Sequence, residues 1–163
     1  SQIMLSDSYI VPECFVGPRT FGGLMALYES NYIQLEKLIG DIHLSEPHYG
    51  SAPQDDRALY LSVEGSTRYT RVFRMTYFFD EPEGLIADPD LSVRVYLDAR
   101  MVEVIGWSQL HRHEVLRNLH SQVGRDMNRC WARNTVLSKW LTFLIDKDHQ
   151  FSPAALPNDI LAV

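Results

Sequence analysis

The feature that most restricts the fold is a hydrophobic period that changes twice along the chain. Apolar residues recur at three- and four-residue steps in residues 22–39 and again in residues 128–146, the spacing of a helix with one buried face. Between them, apolar and polar residues alternate, as they do in half-buried strands. This order predicts an α+β fold: a four-stranded antiparallel meander flanked by an N-terminal and a C-terminal helix.

Short polar connections divide the alternating region into strands. Gly65-Ser66 and Asp98-Ala99-Arg100 predict two hairpin turns, whereas 41–56 and 80–90, rich in Pro, Gly and acidic residues, predict loops. The predicted strands are residues 57–64, 69–79, 91–98 and 101–107.

The length of 163 residues predicts one domain. We expect residues 1–19 to form an extended N-terminal arm, residues 20–148 the folded core, and residues 149–163 a loosely packed tail. For residues 108–125, a short helix and an irregular arm both remain open.

Composition excludes several classes of function. The net charge is −6 and the basic residues are dispersed, which disfavours general nucleic-acid binding. Two cysteines without a CxxC pattern predict free thiols in a reducing compartment. No apolar run of membrane-spanning length or signal-like start is present, so we expect a cytoplasmic protein that binds no membrane. No phosphate-binding loop occurs, and we predict no cofactor.

A set of polar residues lies where the predicted helices and sheet would meet. One asparagine interrupts the apolar stripe of each predicted helix. Three polar side chains share one face of the third predicted strand, and an acidic residue follows in the fourth. An arginine and a tyrosine follow the first hairpin corner. Two interpretations stay open: a network that only fixes the docking of helices on the sheet, or a site in which the arginines bind an anion or an acidic peptide. The candidate binding residues are Asn31, Arg68, Tyr69, Arg94, Tyr96, Asp98, Glu103 and Asn134.

Catalytic and metal-binding interpretations have less support in the sequence. Asp98 and Glu103 are a possible carboxylate pair for acid-base chemistry or a divalent ion. His111, His113 and His120 superficially resemble a zinc set, but no cysteine or carboxylate follows at a familiar spacing. We therefore predict no catalytic residue and no metal ligand.

Four segments carry a resemblance to a known family. YESNYIQLEKLI (28–39), STRYT (66–70), SVRVYLDARMVEV (92–104) and RNTVLSKWLTFLI (133–145) resemble the YqiB-like family of small bacterial proteins, a domain of unknown function. The resemblance spans roughly residues 24–146. Between residues 107 and 128 the sequence departs from the family. It implies a cytoplasmic protein of gammaproteobacterial type and transfers no activity.

These observations predict a non-enzymatic binding or adaptor protein that engages a protein partner or a small anionic ligand; homodimerisation is left open. The alternative is an enzyme acting on a phosphorylated or nucleotide substrate. In it Arg68 and Arg94 would hold phosphate, while Asp98 or Glu103 would bind a metal or act as base.

Overall fold

The computed structural model describes residues 21–82, 84–107, 117–119 and 129–157. Two helices accompany one sheet whose paired strands are all antiparallel, in the order β5-β4-β3-β2-β1-β6. Of the helices described, neither is long and apolar enough to cross a membrane. The elements are α1 (Phe21–Ile39), β1 (His48–Ser51), β2 (Leu59–Ser66), β3 (Thr70–Glu81), β4 (Gly84–Tyr96), β5 (Met101–Gly106), α2 (Arg129–Asp146) and β6 (Ser152–Pro153).

The predicted fold class and both helices are confirmed, but the predicted count of four strands is wrong. The sheet has six strands. Strand β1 lies in the predicted loop 41–56, and β6 lies in the predicted tail. With four and two residues, these strands are too short to show an alternating pattern.

The predicted loop 80–90 is also wrong, because β3 continues to Glu81 and β4 begins at Gly84. Proline and acidic residues made this stretch resemble a loop, but each strand satisfies the backbone groups of the other. The predicted arm 1–19 lies outside the described residues. So does most of 108–125, of which residues 117–119 are helical.

One face of the sheet and both helices enclose the main core. Leu61, Met75 and Leu91 form a row across β2, β3 and β4. Leu35 of α1 and Leu137 of α2 belong to the same buried cluster, and all five side chains are at most 1% exposed. Burying such a side chain contributes about 1.5–3 kcal/mol to stability, so this layer explains why both helices need an apolar stripe.

The two helices run side by side in the same direction. Their N-terminal turns meet in a second apolar cluster that includes Leu24, Tyr28, Cys130 and Trp131. Their C-terminal ends border a common cavity. Residues from both helices therefore reach the same edge of the sheet.

Both helices end in left-handed backbone, but with different residues. Gly40 closes α1 with φ of 90°, and Asp148 follows α2 with φ of 61°. The amide of Asp148 donates to the carbonyl of Ile145 at 3.0 Å, and that of His149 donates to Leu144 at 3.2 Å. This pair of bonds is the Schellman motif. It turns the chain so that His149 is buried beside the core.

The two helix ends give opposite expectations for stability. A Cβ at Gly40 would meet nothing within 4 Å, so Gly40→Ala isolates the backbone cost and should destabilise by about 1–2 kcal/mol. Asp148→Gly should stabilise by up to about 1 kcal/mol, because glycine adopts this conformation without strain. Urea denaturation measures both changes. Equal effects of the same sign would contradict the assigned helix ends.

Candidate functional site

Two buried asparagines join the helices to the edge of the sheet. Asn134 Oδ1 accepts a hydrogen bond from the Val104 amide at 2.9 Å, and its Nδ2 donates to the Cys130 carbonyl at 3.0 Å. Asn31 Nδ2 donates to the Asn134 carbonyl at 3.2 Å. Strand β5 ends the described sheet, so Val104 directs its amide away from β4. The side chain of Asn134 supplies the acceptor that a further strand would otherwise provide.

The side-chain oxygen of Asn31 differs from its side-chain nitrogen in hydrogen bonding. The residue is fully buried, and within the described part of the chain its Oδ1 has no hydrogen-bond partner. A buried acceptor without a donor costs free energy. This atom is therefore a place where a water molecule or another donor would be stabilised.

Glu103 is a residue of β5 next to the helix asparagines, and it is only 6% exposed. It is directly opposite Arg94 on β4, and the hydroxyl of Tyr96 donates to its Oε1. Burial raises the pKa of Glu103, and the Tyr96 hydrogen bond, the charge of Arg94 and a hydrogen bond from Tyr28 oppose that rise. Burial, strengthened by the charge of Glu103, raises the pKa of Tyr28 and of Tyr96. Both tyrosines therefore stay neutral and act as donors.

Cys130 closes this cluster on the helix side. The residue is disulfide-bonded, so the prediction of a free thiol is wrong at this position. The chain's other cysteine, Cys14, lies outside the described residues. The Tyr28 hydroxyl, which also contacts Glu103, lies 3.2 Å from Cys130 Sγ.

Of the eight predicted residues, five are buried or half-buried and three are exposed. Asn31 contacts Asn134, and Arg94, Tyr96 and Glu103 lie together. The other three, Arg68, Tyr69 and Asp98, are exposed.

Two of the exposed residues make contacts with their neighbours in the chain. Asp98 accepts a hydrogen bond from the amide of Ala99 at 2.9 Å, within its own turn. Arg68 forms no hydrogen bond or ion pair within the described part of the chain, and its guanidinium lies 5.2 Å from the centre of the Tyr69 ring. Arg68 precedes β3 and Arg94 lies opposite Val72 within the sheet, so a single surface with both arginines stays a prediction.

The STRYT corner, residues 66–70, is held by its own side chains. The hydroxyls of Thr67 and Thr70 lie 2.6 Å apart, and Thr67 Oγ1 also accepts from the Thr70 amide at 3.1 Å. The Thr67 amide donates to the Thr70 carbonyl at 2.9 Å. Arg71 Nη1 donates to the carbonyls of both threonines. The backbone is therefore fixed on either side of Arg68 and Tyr69.

A second buried polar group was not predicted. His149 Nδ1 lies 2.8 Å from Ser51 Oγ, and its Nε2 lies 2.9 Å from Asp56 Oδ2. The same carboxylate oxygen accepts from the Tyr77 hydroxyl at 2.9 Å. The Gln150 amide donates to Ser51 Oγ at 2.9 Å. These residues come from β1, the β1–β2 loop, β3 and the segment after α2, and no local pattern links them. The nearest signal is the position of His149 just after a helix end, where an inward side chain is usual.

Hydrogen bonds link the serine, the histidine and the aspartate in the same order as in the catalytic triad of a serine hydrolase. Here, however, the three side chains are buried. The side chain of His149 is 0% exposed and that of Asp56 is 5% exposed. Ser51 is 6% exposed, and its oxygen already accepts from the Gln150 amide. Within the described part of the chain, the serine oxygen is therefore nearly inaccessible to a substrate. The group instead ties the segment after α2 to β1.

The cavity at the C-terminal ends of the helices has a volume of about 380 Å³. Lys37 and Gly40 line it on the side of α1, and Ile145, His149 and Phe151 line it on the other side. None of the eight predicted site residues borders this cavity. It therefore lends no support to a ligand pocket built from the two arginines.

A family model described as "Protein of unknown function (DUF1249)" matches residues 34–150, which is more than half of the chain. The chain belongs to this family. No curated protein and no solved structure matches the chain. The matched region of this DUF1249 member includes both buried polar groups, apart from Tyr28 and Asn31.

The two asparagines should differ in their contribution to stability. Asn134→Leu leaves the Val104 amide without an acceptor and should destabilise by about 2–3 kcal/mol. Asn31→Leu removes one donor and one unpartnered oxygen, so it should destabilise by about 1 kcal/mol. Urea denaturation of both variants tests this order. A stabilised Asn31→Leu variant, or a neutral Asn134→Leu variant, would contradict the hydrogen-bond network.

The buried carboxyl of Glu103 gives a pH dependence of known sign. Burial raises its pKa above the ordinary 4.5, so the folded state holds the proton more tightly than the unfolded chain. Stability from this group falls as the pH rises above about 4.5 and levels off once the folded group ionises. Glu103→Gln keeps an acceptor for Tyr96 and does not titrate. We expect its stability relative to wild type to increase with pH, by at most about 1.4 kcal/mol per pH unit.

Urea melts across the acidic and neutral range measure this difference. Tyr96→Phe is a useful companion, because it removes the hydroxyl that lowers the pKa of Glu103 and should enlarge the dependence. A difference between Glu103→Gln and wild type that is constant with pH would show that the carboxyl is solvated.

Proposed function

We propose that this protein is a non-enzymatic binding or adaptor protein, and that the STRYT corner is its recognition element. The observation that carries the proposal is the fixed backbone of the corner together with two exposed side chains at its tip. Three side chains and a backbone hydrogen bond order a turn that needs none of them to connect two strands. These contacts are explained if the backbone must hold Arg68 and Tyr69 in one arrangement for binding.

The chemistry of the tip favours an anionic group in the partner. Arg68 has no acid bound to it in the described residues, and its guanidinium lies over the ring of Tyr69. An arginine stacked in this way keeps its N–H edge free for paired hydrogen bonds to a carboxylate or a phosphate. Tyr69 is 51% exposed and offers apolar area beside that charge.

The energetics also suit a protein partner. Arginine and tyrosine are enriched among the residues that contribute most to protein interfaces. A fixed loop loses little conformational entropy on binding, so more of the contact energy appears as affinity. We therefore propose an acidic segment of a protein as the partner. A small anionic ligand would use the same contacts with less buried area.

The enzymatic alternative has no observation in its favour. That alternative needs Arg68 and Arg94 beside Asp98 or Glu103, and both Arg68 and Asp98 lie on exposed turns. The hydrogen-bonded group at His149 is enclosed by the core. We do not advance a reaction for this chain.

The finer family assignment and the location remain proposals. We propose membership of the YqiB-like group from the four matching segments, and a cytoplasmic location from the same resemblance. The disulfide at Cys130 weighs against a reducing compartment. Cell fractionation of the native protein, with thiol labelling of each fraction, decides between the compartments.

Binding of an anionic peptide should depend on the tip of the corner. We expect a fluorescent peptide of alternating Asp and Ser to shift the backbone amide signals of residues 66–70 in NMR spectra. Arg68→Ala should weaken its binding at least tenfold, which is about 1.4 kcal/mol. Tyr69→Ala should weaken it less, because only contact area is lost.

Arg100→Ala is the matched control for this experiment. Arg100 also lies over a tyrosine ring, that of Tyr32 at 4.7 Å, but it is paired with Glu36 at 3.4 Å. Its loss should leave binding unchanged. Equal binding by wild type and Arg68→Ala, or an equal loss in Arg100→Ala, would exclude the corner as the recognition element.

A further inference from the structure

Strands β3 and β4 extend past both of their neighbours. Pairing of β2 with β3 stops at Leu59 opposite Tyr77, and pairing of β4 with β5 stops at Ser92 opposite Gly106. The pairing of β3 with β4 continues to Glu81 opposite Gly84. Residues 78–81 and 84–87 therefore form a two-stranded ribbon beyond the described sheet.

The outer edge of β3 in this ribbon has no strand beside it within the described residues. Four residues in extended conformation present an edge of roughly 13 Å. The backbone N–H and C=O groups on such an edge are a template for one more strand. A two-stranded ribbon is also only marginally stable alone, so an added strand would stabilise it.

The sequence of the ribbon specifies the charge of the segment that would pair there. Residues 78–87, which are the two ribbon strands and the residues between them, contain three acidic residues and no lysine or arginine, within a chain of net charge −6. Two such ribbons would repel each other, so a second copy of this chain is a poor occupant. An extended basic segment would be attracted, since complementary charge favours association. The acidic residues are Asp80, Glu81 and Glu83.

We propose that the β3 edge of the ribbon, residues 78–81, binds an extended basic segment of a partner protein by strand addition. Backbone hydrogen bonds would provide affinity, and the acidic composition would select basic sequences. This site is separate from the STRYT corner. That corner lies at the opposite end of β3, a strand of twelve residues.

The test uses the full chain and a labelled peptide of about eight residues that alternates lysine and valine. Fluorescence anisotropy should show saturable binding that weakens as salt is added. Hydrogen exchange should show added protection at the amides of residues 78–81. Absence of binding, or protection confined to other residues, would overturn the proposal.

A second peptide separates strand addition from simple charge attraction. Replacing two central valines with proline keeps the charge and removes the ability to form a ladder. This peptide should bind at least tenfold more weakly, and equal binding of both peptides would overturn the proposal. Asp80→Asn with Glu81→Gln should weaken binding several-fold. Asp98→Asn, at an exposed acid outside the ribbon, should leave binding unchanged, and a matching loss there would likewise overturn it.

Discussion

Asn134 joins three elements of this fold through its side-chain amide and its backbone carbonyl. It accepts from the Val104 amide on β5, it donates to the preceding turn of α2, and the backbone carbonyl of the same residue accepts from Asn31 on α1. Strand β5 ends the described sheet, and its outward amide would otherwise be buried without a partner. This one residue therefore contacts both helices and the edge strand.

Two titratable side chains of the described residues, Glu103 and His149, are buried inside the fold. Glu103 is enclosed with Tyr96 at the β5 end of the sheet. His149 is enclosed with Asp56 near β1, at the other end. Buried polar groups that are satisfied by one another give a fold a unique arrangement. What remains for recognition lies on connections at the surface, where binding residues usually occur.

Periodicity predicted the helices and the polar residues within them because both depend on local spacing. Asn31 and Asn134 interrupt apolar stripes, and each was expected to meet a polar group at the helix–sheet junction. The grouping of Arg68 with Arg94 stays a prediction. Alternation gives the face of a strand but not the position along the sheet, and Arg94 lies opposite Val72, four residues beyond Arg68.

The features that sequence reasoning missed depend on long-range pairing. The ribbon has the proline and acidic content of a loop, and only its partner strand makes it regular. The histidine group joins residues that lie 93 and 98 positions apart, which no window of sequence connects. The clearest local cause of the histidine group is the left-handed conformation of Asp148, which the backbone shows and the sequence does not.

The most direct test of this account is the hydrogen-exchange rate of the Val104 amide in the native protein. If Asn134 replaces a missing strand, this amide should exchange only through global unfolding and should rank among the slowest in the sheet. In Asn134→Leu its protection should fall relative to that of amides in β3, which pair on both sides. Rapid exchange of Val104 in the wild-type protein would contradict the account, because the edge of the sheet would then be open.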